Sequence, residues 1–486
     1  MKETLYEKLL SLKHTGEYPF HMPGHKRNET DSLFDEIVQL DITEIEGFDN
    51  LHHAEGILKK EQEFAAELYG AEETFFLING STAGVLAAIC ATTDENQAIV
   101  ISRNAHKSAY HALFLKNLTG CYVYPQSGEG VYGICGNIRP EDVAEQMDES
   151  GAKVVFVTSP TYEGILSDIA RIAEEVHKRD GILIVDEAHG AHLGFHSYFP
   201  ESAVLQGADI VVQSMHKTLP SLTQTALLHV CSDRVCRKQI AMWLGIFQTS
   251  SPSYVLMASM SRCLHMLKQQ GNELFEVYAG RLQSFYNNVR KLQHLKVIHS
   301  TFVEEKFGTT FDPSKINICV HSLIDEEGNG YQGKELAREL LDNYGLQMEM
   351  VSGNYVIAMT SINDTQEGFD RLEKALFEID GRLCGEEDKS KDVLTQQMTD
   401  SAAMTIKAAL GAKKKKETWV DCVGKISAEY IYLYPPGSPI LTPGERISES
   451  IWQKIEHCKE LGLSVQGPED GSLHTLWVVE ESEHLL

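Results

Sequence analysis

Short, nearly continuous runs of β-branched and aliphatic residues recur through the middle of this chain, and helical periodicity separates them. Ala98–Ser102, Ala152–Thr158, Gly181–Asp186 and Ala208–Gln213 are such runs, with Thr74–Ile78 before them and the weaker Cys121–Tyr124 among them. A strand that is apolar on both sides must be covered on both faces, as strands are inside a parallel sheet flanked by helices. Helices are predicted from Gly80 through Val85–Ala91, from about His106, and over Asp168–Arg179. The alternation predicts an α/β domain with a mostly parallel sheet. Ligands of such sheets gather at the carboxyl ends of the strands, so the chemistry is sought there.

The 486 residues leave room for roughly three domains at about 150 residues each. A long helical pattern around Asn272–Leu295 precedes a strand at Lys315–His321, a helix at Gly333–Tyr344 and a strand at Tyr355–Met359. That order predicts a smaller α+β region. The expected division is an N-terminal arm over 1–30, a large domain over 31–285 and a C-terminal α+β region over 286–486. The opening MKETLYEKLLSLKHTGEYPF reads as a short amphipathic helix without the apolar core of a secretory signal, so a cytoplasmic location is expected. Gly381–Asp392 reads as a connecting loop and Lys413–Lys416 as a solvated surface, while Tyr434–Glu445 is too rich in Pro and Gly for regular structure.

Lys and Arg number 43 against 70 Asp and Glu, a net charge of −27. A phosphate backbone needs a basic footprint, so a nucleic-acid partner is not expected. No run approaches the ~20 apolar residues of a membrane span. The ten cysteines are scattered, with no CxxC pair, and read as buried thiols. His189 and His192 sit three apart, but Gly190 intervenes and no third ligand is near, so no metal site is expected.

The strand ends carry the candidate chemistry. Asn79-Gly80-Ser81-Thr82-Ala83-Gly84 is a small-residue turn entering a helix. Its exposed N–H groups and hydroxyls suit a phosphate, although Ser and Thr also serve as ordinary helix caps. His106, in Asn104–Ser108, could stack on a flat ring or simply begin its helix. Thr158–Gly164 offers several donors and by itself says little. Asp186 ends an apolar strand, where a carboxylate is costly unless it meets a cation. A protonated pyridine nitrogen would be such a cation. Lys217 lies just beyond Ile210-Val211-Val212, between Ser214, His216 and Thr218. A desolvated lysine becomes a nucleophile able to form a Schiff base, and the alternative is a surface loop lysine. Phosphate cup, stacking ring, carboxylate and lysine in that order match one cofactor, pyridoxal 5'-phosphate.

The sequence resembles the Orn/Lys/Arg decarboxylases, bacterial pyridoxal-phosphate enzymes with the aspartate-aminotransferase-type fold (fold type I). The matching segments are HMPGHK at 21–26, Asp41–Gly56, NGSTAG at 79–84, RNAHKS at 103–108, SPTYEG at 159–164, VDEAHGAHLGFH at 185–196, SMHKTLPSLTQ at 214–224 and YPPGSPILTPGE at 434–445. The resemblance implies that Lys217 holds the cofactor aldehyde, Asp186 pairs with the ring nitrogen, His106 stacks on the ring and His189 lies beside it. Gly80, Ser81 and Thr82 would hold the phosphate, assisted by Ser214 and His216. Glu445 would meet the distal cationic group of a basic amino acid. The family forms dimers with shared active sites, so the arm carrying His21 and His25 would serve the neighbouring subunit. HMPGHK begins at residue 21, which resembles the short form without an N-terminal receiver-like domain. The implied reaction is decarboxylation of arginine to agmatine, with lysine to cadaverine or ornithine to putrescine as variants, feeding polyamine biosynthesis. Two alternatives stay open on sequence alone: an aminotransferase on the same fold, since Arg382 and Arg446 could hold a substrate carboxylate, and a non-catalytic regulatory protein that kept the fold.

Overall fold

The computed structural model describes residues 4–12, 35–127, 130–385, 402–433, 437–460 and 463–480. The expected arm, with His21 and His25, lies outside them apart from the helix Leu5–Leu12. The chain forms two compact units, one of residues 1–92 with 182–277 and the other of residues 93–181 with 278–486.

The main strands are β1 (Glu73–Leu77), β2 (Ala98–Ser102), β3 (Thr119–Val123), β4 (Val154–Thr158), β5 (Ile182–Asp186), β6 (Ile210–Ser214) and β7 (Ala226–Val230). In the first unit they lie in the order β1-β7-β6-β5. β5 and β6 are parallel, with Asp186 opposite Val212. β7 runs antiparallel to both of its neighbours, pairing Phe75 with Leu228 on one side and Val212 with Leu228 on the other. In the second unit β2 pairs in parallel with β3 and with β4. The expected α/β architecture with a mostly parallel sheet is therefore present, with β7 as the reversed strand among them. β6 and β7 are buried at every position, which accounts for their mostly apolar character, broken by the buried Gln213, Ser214 and His229.

Leu5 and Leu9 of the N-terminal helix are fully buried. Burying each such side chain contributes about 1.5–3 kcal/mol. The Leu5 N–H donates to the buried Glu61 carboxylate at 2.9 Å, satisfying one of the donors left open at a helix start.

The second unit continues into a four-stranded antiparallel sheet of Met350–Val351, Tyr355–Met359, Lys315–Cys319 and Lys296–Val297. The helices Gly333–Tyr344 and Gln366–Asp380 accompany it, giving the expected α+β pattern. One C-terminal expectation holds with an addition and one needs correction. Lys413–Lys416, read as a solvated surface, lies largely within a strand, Lys414–Thr418, paired antiparallel with Thr475–Val479. Its lysine side chains remain largely in water, where Lys416 pairs with Glu469 at 3.3 Å. The segment around 434–445 is not wholly irregular either. Pro439–Leu441 is a strand paired with Ile431–Leu433, and a proline at the first position of an edge strand removes no needed donor. Gly444 has φ +94°, and a Cβ there would lie 2.3 Å from the Met404 carbonyl oxygen. Only glycine fits that turn without strain.

Candidate active site

The first unit gathers most of the expected residues at the ends of β5 and β6. Asp186 is the last residue of β5 and is 4% exposed. Its Oδ1 accepts the Ala188 N–H at 3.1 Å. Burial raises its affinity for a proton, and the nearby positive charge of Lys217 opposes that only in part. β6 ends at Ser214 and passes into a single helical turn, Met215–Thr218, which carries His216 and Lys217. The Met215 N–H donates to the Thr225 carbonyl at 3.1 Å, which fixes where this turn begins. Lys217 Nζ lies 3.0 Å from His189 Nε2. His189 is itself 8% exposed. Asp186, His189 and Lys217 thus form one cluster. A buried carboxyl whose proton affinity is raised would gain from a further cationic group, and a protonated ring nitrogen supplies one.

The expected phosphate cup sits on the same unit. The helix Gly80–Thr92 starts directly after β1, and the Ser214 hydroxyl donates to Ser81 Oγ at 3.0 Å across the strand end. The first N–H groups of a helix have no intrahelical partner and favour an anion. Gly84 brings this helix close onto the sheet, for a Cβ there would lie 2.6 Å from Leu77 Cδ1 and 3.0 Å from Val212 Cγ1. Thr82 is exposed at the same helix start. His216 Nδ1 lies 2.9 Å from the Thr225 carbonyl oxygen and donates to it. Burial lowers the pKa of His216, as does the charge of Lys217, while the Thr225 bond works the other way. The neutral ring offers Nε2 as an acceptor, so it binds a phosphate oxygen only after gaining a proton. Taken together, a helix start with hydroxyls, a buried carboxyl and an amine beside an imidazole fit pyridoxal phosphate.

His106 and Glu445 belong to the second unit. His106 caps its own helix, Lys107–Lys116, with Nδ1 accepting the Ser108 N–H at 3.3 Å. Glu445 is 1% exposed, and its Oε2 already receives Arg103 Nη2 at 3.1 Å and the Thr442 N–H at 2.6 Å. Its charge is therefore matched by the protein's own arginine, which is not the setting expected of a carboxylate reserved for a substrate cation.

One set of residues escaped the sequence reading. Gln213 Nε2 donates to Glu187 Oε2 at 2.6 Å, the Ser202 hydroxyl donates to the same oxygen at 2.6 Å, and the Ala203 N–H donates to Oε1 at 2.8 Å. His229 Nε2 lies 3.1 Å from Gln213 Oε1, and its Nδ1 lies 2.8 Å from the Thr74 hydroxyl. This buried network braces the residues next to Asp186 and Ser214. Its signal is a polar side chain inside an otherwise apolar strand: Thr74 in ETFFL, Gln213 in IVVQS, His229 in ALLHV.

Residues 3–367 match the family described as Orn/Lys/Arg decarboxylase, major domain. An arginine decarboxylase of Halalkalibacterium halodurans is 33% identical over 472 residues, which cover 96% of this chain and 95% of that protein. An arginine decarboxylase of Bacillus subtilis is 31% identical and covers 97% of each. A solved lysine decarboxylase of Francisella novicida, 19% identical, superposes with a TM-score of 0.82 over 98% of this chain and 81% of its own, which shows the shared fold. The class of protein is thus that of the amino-acid decarboxylases. This chain belongs to the Orn/Lys/Arg decarboxylase family. Among the described residues, no helix is long and apolar enough to cross a membrane.

Proposed function

We propose that this protein is a pyridoxal-phosphate-dependent arginine decarboxylase that releases agmatine and carbon dioxide, acting as a homodimer. The observation that carries the reading is Lys217 Nζ at 3.0 Å from His189 Nε2, beside the buried Asp186. The names of the relatives at 33% and 31% identity favour arginine over lysine and ornithine.

Pyridoxal phosphate, when bound, supplies a ring that takes up the electrons of the breaking Cα–carboxylate bond. The residues of this chain do the rest. Asp186 would place a negative charge at the ring nitrogen, in a low-dielectric setting where such a pairing is strong. Gly80, Ser81, Thr82 and Ser214 would hold the phosphate by backbone N–H groups and hydroxyls, and His216 would add a donor once protonated. His106, by the family resemblance, would stack on the ring. Lys217 must lose a proton from Nζ before that nitrogen can act as a nucleophile, and His189 Nε2 is within reach to accept it. Lys217 or the neighbouring His189 would be the group that returns a proton to the substrate carbon.

The test is steady-state kcat/KM for arginine, lysine and ornithine, with carbon dioxide and keto acid measured side by side. Arginine is expected to exceed the other two by about tenfold or more, with carbon dioxide as the carbon product. Preference for lysine or ornithine would overturn the substrate assignment. Keto acid without carbon dioxide would overturn the reaction.

A further inference from the structure

A line of hydrogen bonds crosses the first unit and ends beneath the turn that carries His189. It starts at Thr74 on β1, whose hydroxyl lies 2.8 Å from His229 Nδ1 on β7. His229 Nε2 lies 3.1 Å from Gln213 Oε1 on β6, and Gln213 Nε2 donates at 2.6 Å to Oε2 of Glu187, the residue after β5. These strands are consecutive neighbours in the sheet. A carboxylate only accepts, so Gln213 turns its amide nitrogen to Glu187 and its oxygen to His229. His229 Nε2 then donates, and Nδ1 accepts from Thr74. Every donor in the line points the same way, towards Glu187, and bonds so aligned polarise one another.

Glu187 is buried, and more than this line holds it. The Ser202 hydroxyl donates to Oε2 at 2.6 Å and the Ala203 N–H to Oε1 at 2.8 Å. Its own N–H donates to the Val212 carbonyl at 2.9 Å, which ties it to β6. The Glu187 carbonyl accepts the Gly190 N–H at 2.8 Å, closing a turn with Ala188 and His189 at its tip. A Cβ on Gly190 would lie 2.5 Å from Glu187 Cγ, so this turn rests directly on the Glu187 side chain. From the same turn His189 Nε2 meets Lys217 Nζ at 3.0 Å.

We propose that Glu187 and Gln213 are positioning residues for the pair of Lys217 and His189: the line from Thr74 fixes the Glu187 carboxylate, and the carboxylate fixes the turn that sets His189 against the amine. The inference rests on the pyridoxal-phosphate reading above and deepens it, by naming what holds the imidazole beside the nucleophile.

The experiment uses full-length protein. Wild type loaded with pyridoxal phosphate comes first, because absence of a visible cofactor band overturns the cofactor reading and this inference with it. The cofactor is then removed, and the pH at which Lys217 becomes reactive is measured with trace acetic anhydride and mass spectrometry of a digest. The exposed Lys334 is the internal reference. An amine and an imidazole in hydrogen-bonding distance titrate as a pair, so parting them moves this midpoint. Glu187→Ala and Gln213→Leu are expected to move it by about half a pH unit or more, with Lys334 unchanged. With cofactor restored, the visible circular dichroism should change, and kcat for arginine should fall about tenfold while KM stays within about twofold. The double variant Glu187→Gln with Gln213→Glu shifts the carboxylate one step along the line and keeps a donor facing an acceptor at each step. It should restore the wild-type midpoint, which a role in packing alone would not require. If neither single variant folds, Ser202→Ala, which removes one donor to Glu187, is compared with wild type in the same way. An unchanged Lys217 midpoint in the variants overturns the proposal, as does a shift that the exchange fails to reverse.

Discussion

Lys217 Nζ and His189 Nε2 stand 3.0 Å apart, one on the turn after β6 and the other three residues beyond the end of β5. Parallel pairing of these two strands brings their carboxyl ends together, so residues separated by 28 positions meet in hydrogen-bonding distance. An ammonium beside an imidazole has a proton acceptor at hand, and only the neutral amine is nucleophilic.

Lys217→Ala should abolish turnover. Borohydride treatment of wild type with its cofactor should leave a tagged peptide that contains Lys217, located by mass spectrometry of a digest. Substantial decarboxylation by the variant, or a tag on a different lysine, would remove the assignment.

Asp186 holds its carboxyl in a buried site where proton affinity is raised, with the charge of Lys217 only partly compensating. Asp186→Asn keeps the size and removes the charge. By the usual cost of losing one aimed electrostatic partner, kcat should fall about 100-fold or more. Far-ultraviolet circular dichroism should be unchanged. A nearly normal rate would show that the ring nitrogen has another partner.

His229 links catalysis-bearing strands to acid stability. It is fully buried, and burial pushes its pKa down to about 3. Gln213 Nε2 donates to Glu187, so Gln213 Oε1 faces His229 and accepts from Nε2–H, leaving Nδ1 to accept from Thr74. The folded state therefore keeps a neutral ring where the unfolded chain takes up a proton below about 6.5. The unfolded state binds more protons across that window, so His229 makes stability fall as pH drops from about 6.5 towards 3, by at most about 1.4 kcal/mol per unit. Urea unfolding of wild type and His229→Gln over this range should show the shallower slope in the variant. Parallel curves would mean that the ring titrates normally.

The legible part of this fold was the part written in local pattern. β2 is an unbroken apolar run, and Gly333–Tyr344 keeps helical periodicity from end to end, so both are found where they are read. β7 was not singled out, because a buried histidine interrupts ALLHV and only the short turn Met215–Thr218 and a loop separate it from β6. The helix read around 272–295 begins earlier, at Tyr254, and ends at Val289. Lys414–Thr418 hid its strand because its side chains face water while its backbone pairs. Asp186 and Lys217 were legible as a carboxylate and an amine at the ends of apolar runs. The partner of Glu445 was not, since Arg103 lies 342 positions away and no local pattern joins them.

Asp49 accounts for part of the Asp41–Gly56 segment. The helix Ile57–Tyr69 begins after Gly56, which has no side chain to cap it. Asp49 takes over from outside, its Oδ1 accepting the N–H groups of Asn50 at 2.9 Å and Glu55 at 3.0 Å. Its Oδ2 accepts those of Gly56 at 2.8 Å and Leu58 at 3.0 Å. Partial burial alone would raise its pKa, but these amides outweigh it and hold the carboxyl below the usual value. Its φ is +71°, a region that Asn tolerates and Ala does not. Asp49→Ala should therefore destabilise the fold by about 2 kcal/mol at neutral pH, through the lost cap and the strained backbone together. Asp49→Asn should cost less, because it removes charge and one acceptor without the strain. A carboxyl with a lowered folded-state pKa stabilises above its unfolded value of 3.8, and that contribution is lost as pH falls through the folded value. The gap between wild type and Asp49→Asn in urea unfolding should accordingly close as pH drops below 3.8. A gap that persists unchanged into strong acid would show that the carboxylate charge does not cap this helix.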